Sequence, residues 1–278
     1  MAVTDGQMSK MSAVLADDGK ASYQMLLGEH RVDMAALMGK HLRFEYVGEI
    51  FCQHCQRRTK KSFSGGFCFP CSQKLAQCDL CFMKPETCHF EQGTCREPDW
   101  GQAVCMQPHV VYLANSSGLK VGITRTGQIP TRWIDQGATQ ALPIFMVQSR
   151  QQSGLVETVY KQHVSDRTDW RKMLKAQAEP LDLAGLRDQL FAETLHEIKA
   201  LQERFGEQSI KALKAETVTE IVYPVLQYPD KVKSLSFDKT NQLEGELLGI
   251  KGQYLILDTG VINIRKFTGY HVKMEFAA

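Results

Sequence analysis

The residues that could do chemistry begin with the cysteines. Of nine in the chain, eight lie between positions 52 and 95, and six form three Cys-x-x-Cys pairs. The first two pairs are Cys52/Cys55 and Cys68/Cys71, with twelve residues between them. Two residues between thiols let one tight turn aim both sulfurs at one ion. The loop then brings the second pair opposite, and Gly65-Gly66 suits the turn that returns the chain. Four thiolates at about 2.3 Å make a closed, structural zinc site with no position open to substrate. Such an ion contributes on the order of 10 kcal/mol to folding a segment this poor in aliphatics.

The second group is CDLCFMKPETCHFEQGTC, with Cys105 further on. It offers more candidates than a tetrahedral ion needs. Cys78, Cys81, Cys88 and Cys95 are the favoured ligands of a second structural zinc, with His89 as the substitute. An interleaved arrangement, in which the first and third pairs share one ion, stays open. Disulfides are disfavoured, because no signal-peptide core precedes the cysteines and disulfide scaffolds belong mostly to small secreted chains. A redox-active dithiol fits three clustered pairs less well than metal does. Between the halves of the first site lies RRTKK, the densest basic run. It reads either as a solvated loop or as a phosphate-contacting loop formed by Arg57, Arg58, Lys60 and Lys61.

A third constellation surrounds HVVYLANSSGLKVGIT, residues 109–124. It reads as strand, turn, strand. Phosphodiester hydrolysis needs an activated water, a cation to take charge from the phosphoryl oxygens and a proton for the leaving oxygen. Glu157 could hold one Mg or Mn ion. Arg132 could clamp the phosphate. Tyr112 could act as a base if a neighbouring cation such as Lys120 lowered its pKa from about 10. Each residue also has a structural alternative. Tyr112 can be a strand aromatic and Lys120 a solvated strand end. Arg132 can pair with Asp135, and Glu157 with Lys161 one helical turn on. Trp133 and Trp170 each adjoin an arginine, an arrangement that packs a fold or stacks single-stranded bases.

Tyr112, the Lys120-Val121-Gly122 run, Arg132 and Glu157 together resemble a divergent GIY-YIG nuclease domain over roughly residues 108–175. That resemblance implies two strands carrying the first two motifs, the arginine on the next helix and a metal-binding glutamate on a later one. Lys120 stands where the second motif has a tyrosine, and a lysine cannot reproduce a hydroxyl that both donates and accepts. Over most of its length the chain resembles a bacterial family of uncharacterised proteins, domain of unknown function 2797. The resemblance lies in both cysteine groups, KPETCH…GTCREPDWG, KVGITR, DRTDWR and the GIKGQYLILDTGVINIRKFTGY tail. It implies an architecture and no activity.

The elements that must position these residues read as an α+β, multidomain chain. Residues 1–22 look like a frayed, flexible arm. Residues 23–51 are strands expected to pack with a C-terminal β unit at 207–278, forming a small barrel or sandwich. The zinc module spans 52–105. A GIY-YIG-like domain spans 106–206 and includes one long amphipathic helix from the cap Asp182 to Gly206. The net charge of +2 neither demands nor excludes nucleic acid. No apolar run approaches the ~18 residues of a membrane span. The expectation is a cytoplasmic zinc protein that binds DNA or RNA and carries a metal-dependent nuclease site. The alternative is a non-catalytic, zinc-stabilised adaptor for RNA or protein.

Overall fold

The computed structural model describes residues 2–277. The chain opens with strands β1 (Ala2–Gln7), β2 (Ser12–Leu15), β3 (Ala21–Leu27), β4 (His30–Asp33) and β5 (His41–Phe51), and a short β6 (Arg58–Thr59) follows. Period-two alternation explains the clearest of them. In β3, Ala21, Tyr23, Met25 and Leu27 are buried while Ser22 and Gln24 face water. In β5, Leu42 and Phe44 point inward between His41, Arg43 and Glu45.

The first residues are strand, not a frayed arm. β1 pairs antiparallel with the last strand of the chain, from Ala2 opposite Phe276 to Gln7 opposite His271. It lies at a sheet edge, where polar residues are solvated and an apolar rhythm is not required. Gly6 permits the crossing onto β3, since a Cβ there would lie 2.6 Å from the Leu27 carbonyl carbon.

The cysteine region holds only short helices, α1 (Phe69–Lys74), α2 (Leu80–Met83) and α3 (Pro98–Val104). Next come the hairpin β7 (His109–Asn115) and β8 (Leu119–Arg125), then α4 (Thr131–Asp135), β9 (Gln140–Val147) and α5 (Arg150–Tyr160). Helices α6 (Trp170–Lys175), α7 (Leu183–Glu193) and α8 (Leu195–Phe205) lead to short strands β10 (Ile210–Ala212) and β11 (Thr219–Glu220). The expected single helix over 182–206 is therefore two. Asp182 caps the first, accepting from Gly185 N at 2.9 Å, and the break falls at buried Thr194. Its hydroxyl donates to Leu190 O at 2.8 Å, and it lies 3.3 Å from the Tyr160 hydroxyl. Local back-bonding of this kind bends helices.

The chain closes with β12 (Gln242–Lys251), β13 (Tyr254–Leu257), β14 (Gly260–Asn263) and β15 (Tyr270–Phe276). The largest sheet runs β1-β15-β5-β12-β13-β14, with β6 on β5; a second runs β10-β9-β7-β8, with β11 on β9; the third is β2-β3-β4. No barrel closes among the described residues, because the path ends at β1 and β14, which do not pair. The register of β12 on β13 shifts between Leu247 and Gly249, and the outer strands β13 and β14 have four residues each, too few to wrap round.

The hairpin β7–β8 separates two cores. Tyr112 and Ala114 join Trp133, Phe44, Leu247 and Val272 in one; Val111, Leu113 and Val121 join Val156 and Tyr160 of α5 in the other. Among the described residues no helix is long and apolar enough to cross a membrane.

Candidate functional site

Cys52 follows directly on β5, the strand held between β12 and β15. A tight turn carries the chain to Cys55, with Gln56 N donating to Cys52 O at 2.9 Å and Cys52 N to Arg57 O at 3.0 Å. Gly66 has φ 134°, and a Cβ there would meet the Gln53 side chain at 2.8 Å, so the returning turn needs glycine. Cys68 precedes α1 and Cys71 lies in its first turn. The sulfurs of Cys52, Cys55, Cys68 and Cys71 all fall within 4.8 Å of one another, and Cys55 and Cys68 are 3.7 Å apart. A tetrahedral ion with sulfurs at about 2.3 Å requires an S···S separation of ~3.8 Å. This set can hold a zinc ion, and the first pair joins the second, so the interleaved arrangement is set aside. Burial opposes ionisation of Cys52, but backbone N–H groups of Cys55, Cys68 and His54 outweigh it and pull its thiol down.

The second group departs from the expected ligand set. Cys78 stands beside Ser64 and feels the charge of Arg96 and of Cys52 in the first cage. Cys81, Cys88, Cys95 and Cys105 instead line one cavity, with His89 and Arg150 in its wall. Burial pushes the Cys81 thiol up to about 11, reinforced by Asp79 and then by Cys88, Cys105 and Cys95. Cys78, in the turn before α2, is not part of that cavity's lining. Asp79, Cys81 and His89 also form a close set. Its members already have structural partners. Asp79 accepts from Arg96 Nε at 2.6 Å, and His89 Nδ1 lies 2.7 Å from the Thr94 hydroxyl.

The basic loop is displayed by the first cage. β6 ties it to β5, with Thr59 opposite Ile50 and Arg58 opposite Phe51. Arg57, Arg58, Lys60 and Lys61 are all exposed. Arg58 pairs with Glu49 at 3.3 Å. Arg57, Lys60 and Lys61 have no carboxylate partner among the described residues. Lys61 Nζ stands 5.5 Å from the Phe63 ring centre, and Phe63 packs edge-on against Phe69, which is 56% exposed.

At the hairpin, the four expected residues share one electrostatic neighbourhood but not one open cleft. Arg132 and Glu157 each perturb both Tyr112 and Lys120. Tyr112 is 0% exposed. Its ring crosses Gly122, the residue opposite on β8, where a Cβ would lie 2.7 Å from the hydroxyl. Gln136, turned to satisfy both neighbours, donates to that hydroxyl at 2.8 Å and accepts from Arg132 Nη2 at 3.0 Å and Nε at 3.1 Å. Burial pushes Tyr112 up to about 12 despite Arg132. A sealed, neutral phenol is not the base that the hairpin sequence invited. Lys120 is buried too, 3.4 Å from the Thr168 hydroxyl, and burial followed by Arg132 lowers it to about 8.

Glu157 does not present an open carboxylate for Mg or Mn. The Lys161 ammonium lies 3.4 Å from it and 3.2 Å from Asp166, bridging the two acids where a cation would sit. Burial raises Glu157, and Lys161 opposes that rise. A divalent ion would have to displace the lysine, so these residues do not fit one as arranged. Trp133 is buried edge-on to Tyr112 and cannot stack a base. Trp170 stacks on Tyr254 with rings 5.7 Å apart, and Arg171 covers it at 4.3 Å.

With this geometry in place, comparison with known proteins gives one match. The family described as Protein of unknown function (DUF2797) matches residues 39–272, more than half of the chain. The chain belongs to the DUF2797 family. No curated protein and no solved structure matches it.

Two residues of this DUF2797 chain escaped the sequence reading. Gln136 lies four residues after Arg132, the spacing of helical neighbours, which is the signal that could have found it. Arg150 carried none. Its Nη2 donates to Phe82 O at 2.7 Å, reaching from the start of α5 into the cysteine region.

Proposed function

We propose that the protein binds nucleic acid on the face of its first cysteine cage, and that it does so without cleaving it. The observation that carries this reading is the set of exposed, carboxylate-free cations Arg57, Lys60 and Lys61 on a loop braced by four cysteines. The solvent-facing Phe69 ring beside them is the surface on which an unpaired base stacks. Cations on a metal-braced loop contact phosphates at little cost in ordering, because the loop is already fixed.

The hairpin unit supports a GIY-YIG-like scaffold in its order alone. Tyr112 lies on β7, Gly122 on β8, Arg132 on α4 and Glu157 on α5. Burial of Tyr112 and the Lys161 bridge on Glu157 argue against the chemistry that such a scaffold would imply.

Fluorescence anisotropy with labelled single-stranded and duplex DNA and RNA tests the binding, and gel analysis of the same oligonucleotides with Mg or Mn tests the cleavage. Binding that weakens steeply with salt, with intact oligonucleotide, is expected. Cleavage that is abolished in Glu157→Ala would restore the nuclease reading. Absence of binding to any of these oligonucleotides would favour a protein partner, and binding that ignores salt would rule out the phosphate contacts.

A further inference from the structure

We propose that Cys81, Cys88, Cys95 and Cys105 hold an iron–sulfur cluster, separate from the zinc cage. The inference begins with the spacing of their sulfurs. In a mononuclear zinc cage the sulfurs stand about 2.3 Å from the centre, which leaves no room for a body the size of water. The first cage is of that kind, with Cys55 and Cys68 sulfurs 3.7 Å apart. The four cysteines of the second group line a cavity of about 20 Å³ together with Phe82, Trp100 and Arg150, and among the described residues their sulfurs are not all within 4.8 Å of one another as those of the first cage are. Thiolates are held that far apart when several metals and bridging sulfides lie between them, and four cysteines are the ligand set of both two-iron and four-iron clusters.

The wall of the cavity supplies what such a cluster needs. Four thiolates leave a cluster with net negative charge, and the Arg150 guanidinium lines the cavity. Its Nη2 is held by Phe82 O, while its buried Nε has no hydrogen-bond partner. A buried N–H without an acceptor carries a desolvation cost unless something accepts from it. A cluster sulfur does so, and hydrogen bonds to sulfur set the potential of these centres. Phe82 and Trp100, packed edge-to-face at 5.7 Å, give that wall an apolar side.

The neighbouring backbone is pressed close on two sides. A Cβ at Gly101 of α3 would lie 3.0 Å from Cys95 Sγ. One at Gly154 of α5 would lie 2.6 Å from Glu86 N and Pro85 Cβ, between Cys81 and Cys88 in sequence. Gln151 Nε2 adds a bond to Cys88 O at 3.0 Å. Cys105 comes from beyond α3 and Arg150 from α5, so the cluster joins the cysteine region to the hairpin unit. Cys78 is left out of the ligand set, beside Ser64.

The test is the metal content of the full chain, produced and purified without oxygen. Iron and acid-labile sulfide in equal amounts, with one zinc per chain and visible absorption that bleaches with dithionite, are expected. Cys105→Ala loses the iron and the colour and keeps the zinc, and Cys78→Ala keeps all three. Arg150→Met keeps the iron but shifts the reduction potential to a more negative value, since a cation and an N–H donor to sulfur are gone. Two zincs and no iron in the anaerobic wild-type protein would overturn the proposal, whatever the variants do. So would loss of iron in Cys78→Ala, or full iron in Cys105→Ala. If Cys105→Ala fails to fold, its zinc is lost as well, and the wild-type composition decides.

Discussion

Lys120 is a buried amine without a carboxylate in contact among the described residues, and replacing it with methionine reports what that burial costs. In the unfolded chain the amine ionises at its ordinary 10.5, and in the fold burial followed by Arg132 brings it down to about 8. Below pH 8 the group is charged in both states, and the fold carries the whole cost of the buried charge. As pH rises through 8 the folded amine releases its proton while the unfolded one keeps it, so this contribution to stability rises until about pH 10.5. The two pKa values correspond to roughly 3 kcal/mol at pH 7 and about 1 kcal/mol at pH 10. Lys120→Met should therefore be more stable than wild type at pH 7, with the advantage shrinking by roughly 2 kcal/mol on going to pH 10. Urea unfolding of both proteins across that range gives the difference directly. Packing of the thioether adds a constant that cancels in the pH comparison, and the similarly depressed Lys251 titrates alike in both proteins. A stability difference that does not change with pH would refute the reasoning.

Gly122→Ala drives a methyl into the Tyr112 hydroxyl and should lower stability by roughly 1–3 kcal/mol in urea unfolding. Adding Tyr112→Phe, which removes the nearest atom, should recover part of that loss. Chelating zinc from Cys52, Cys55, Cys68 and Cys71 should abolish nucleic-acid binding while far-UV circular dichroism changes little, because the sheets pack into hydrophobic cores that the loop does not join. Binding that survives loss of the zinc would separate the loop from the cage.

The first cage was legible because its ligands lie in one local stretch, and both turns can be read from spacing and glycine. The second cysteine group was legible only as a region. That Cys81 on α2 lines the cavity while Cys78 before it does not, and that Cys105 returns past α3, depend on packing against α5, which begins seventy residues after α2 does. Tyr112 was left between base and strand aromatic for a similar reason. A tyrosine in a Val-Val-Tyr-Leu run looks the same at a sheet edge and in a core, and its burial here is made by α4 and by strands from both ends of the chain. β1 left no pattern because its partner is the last strand, and a polar edge strand needs no apolar rhythm. The bridging role of Lys161 was legible as the ordinary i,i+4 partner of Glu157. That alternative is the contact the structure shows, at 3.4 Å.

The most direct measurement is the salt dependence of nucleic-acid binding by wild type and by the triple variant Arg57→Ala, Lys60→Ala, Lys61→Ala. Each phosphate neutralised on a duplex contributes about 0.9 to the slope of log affinity against log salt. Loss of three contacts should weaken binding at low salt and reduce the slope by about 2.7, with the zinc content unchanged. A variant that binds with the affinity and slope of wild type would show that the loop does not touch the nucleic acid, and would contradict the account.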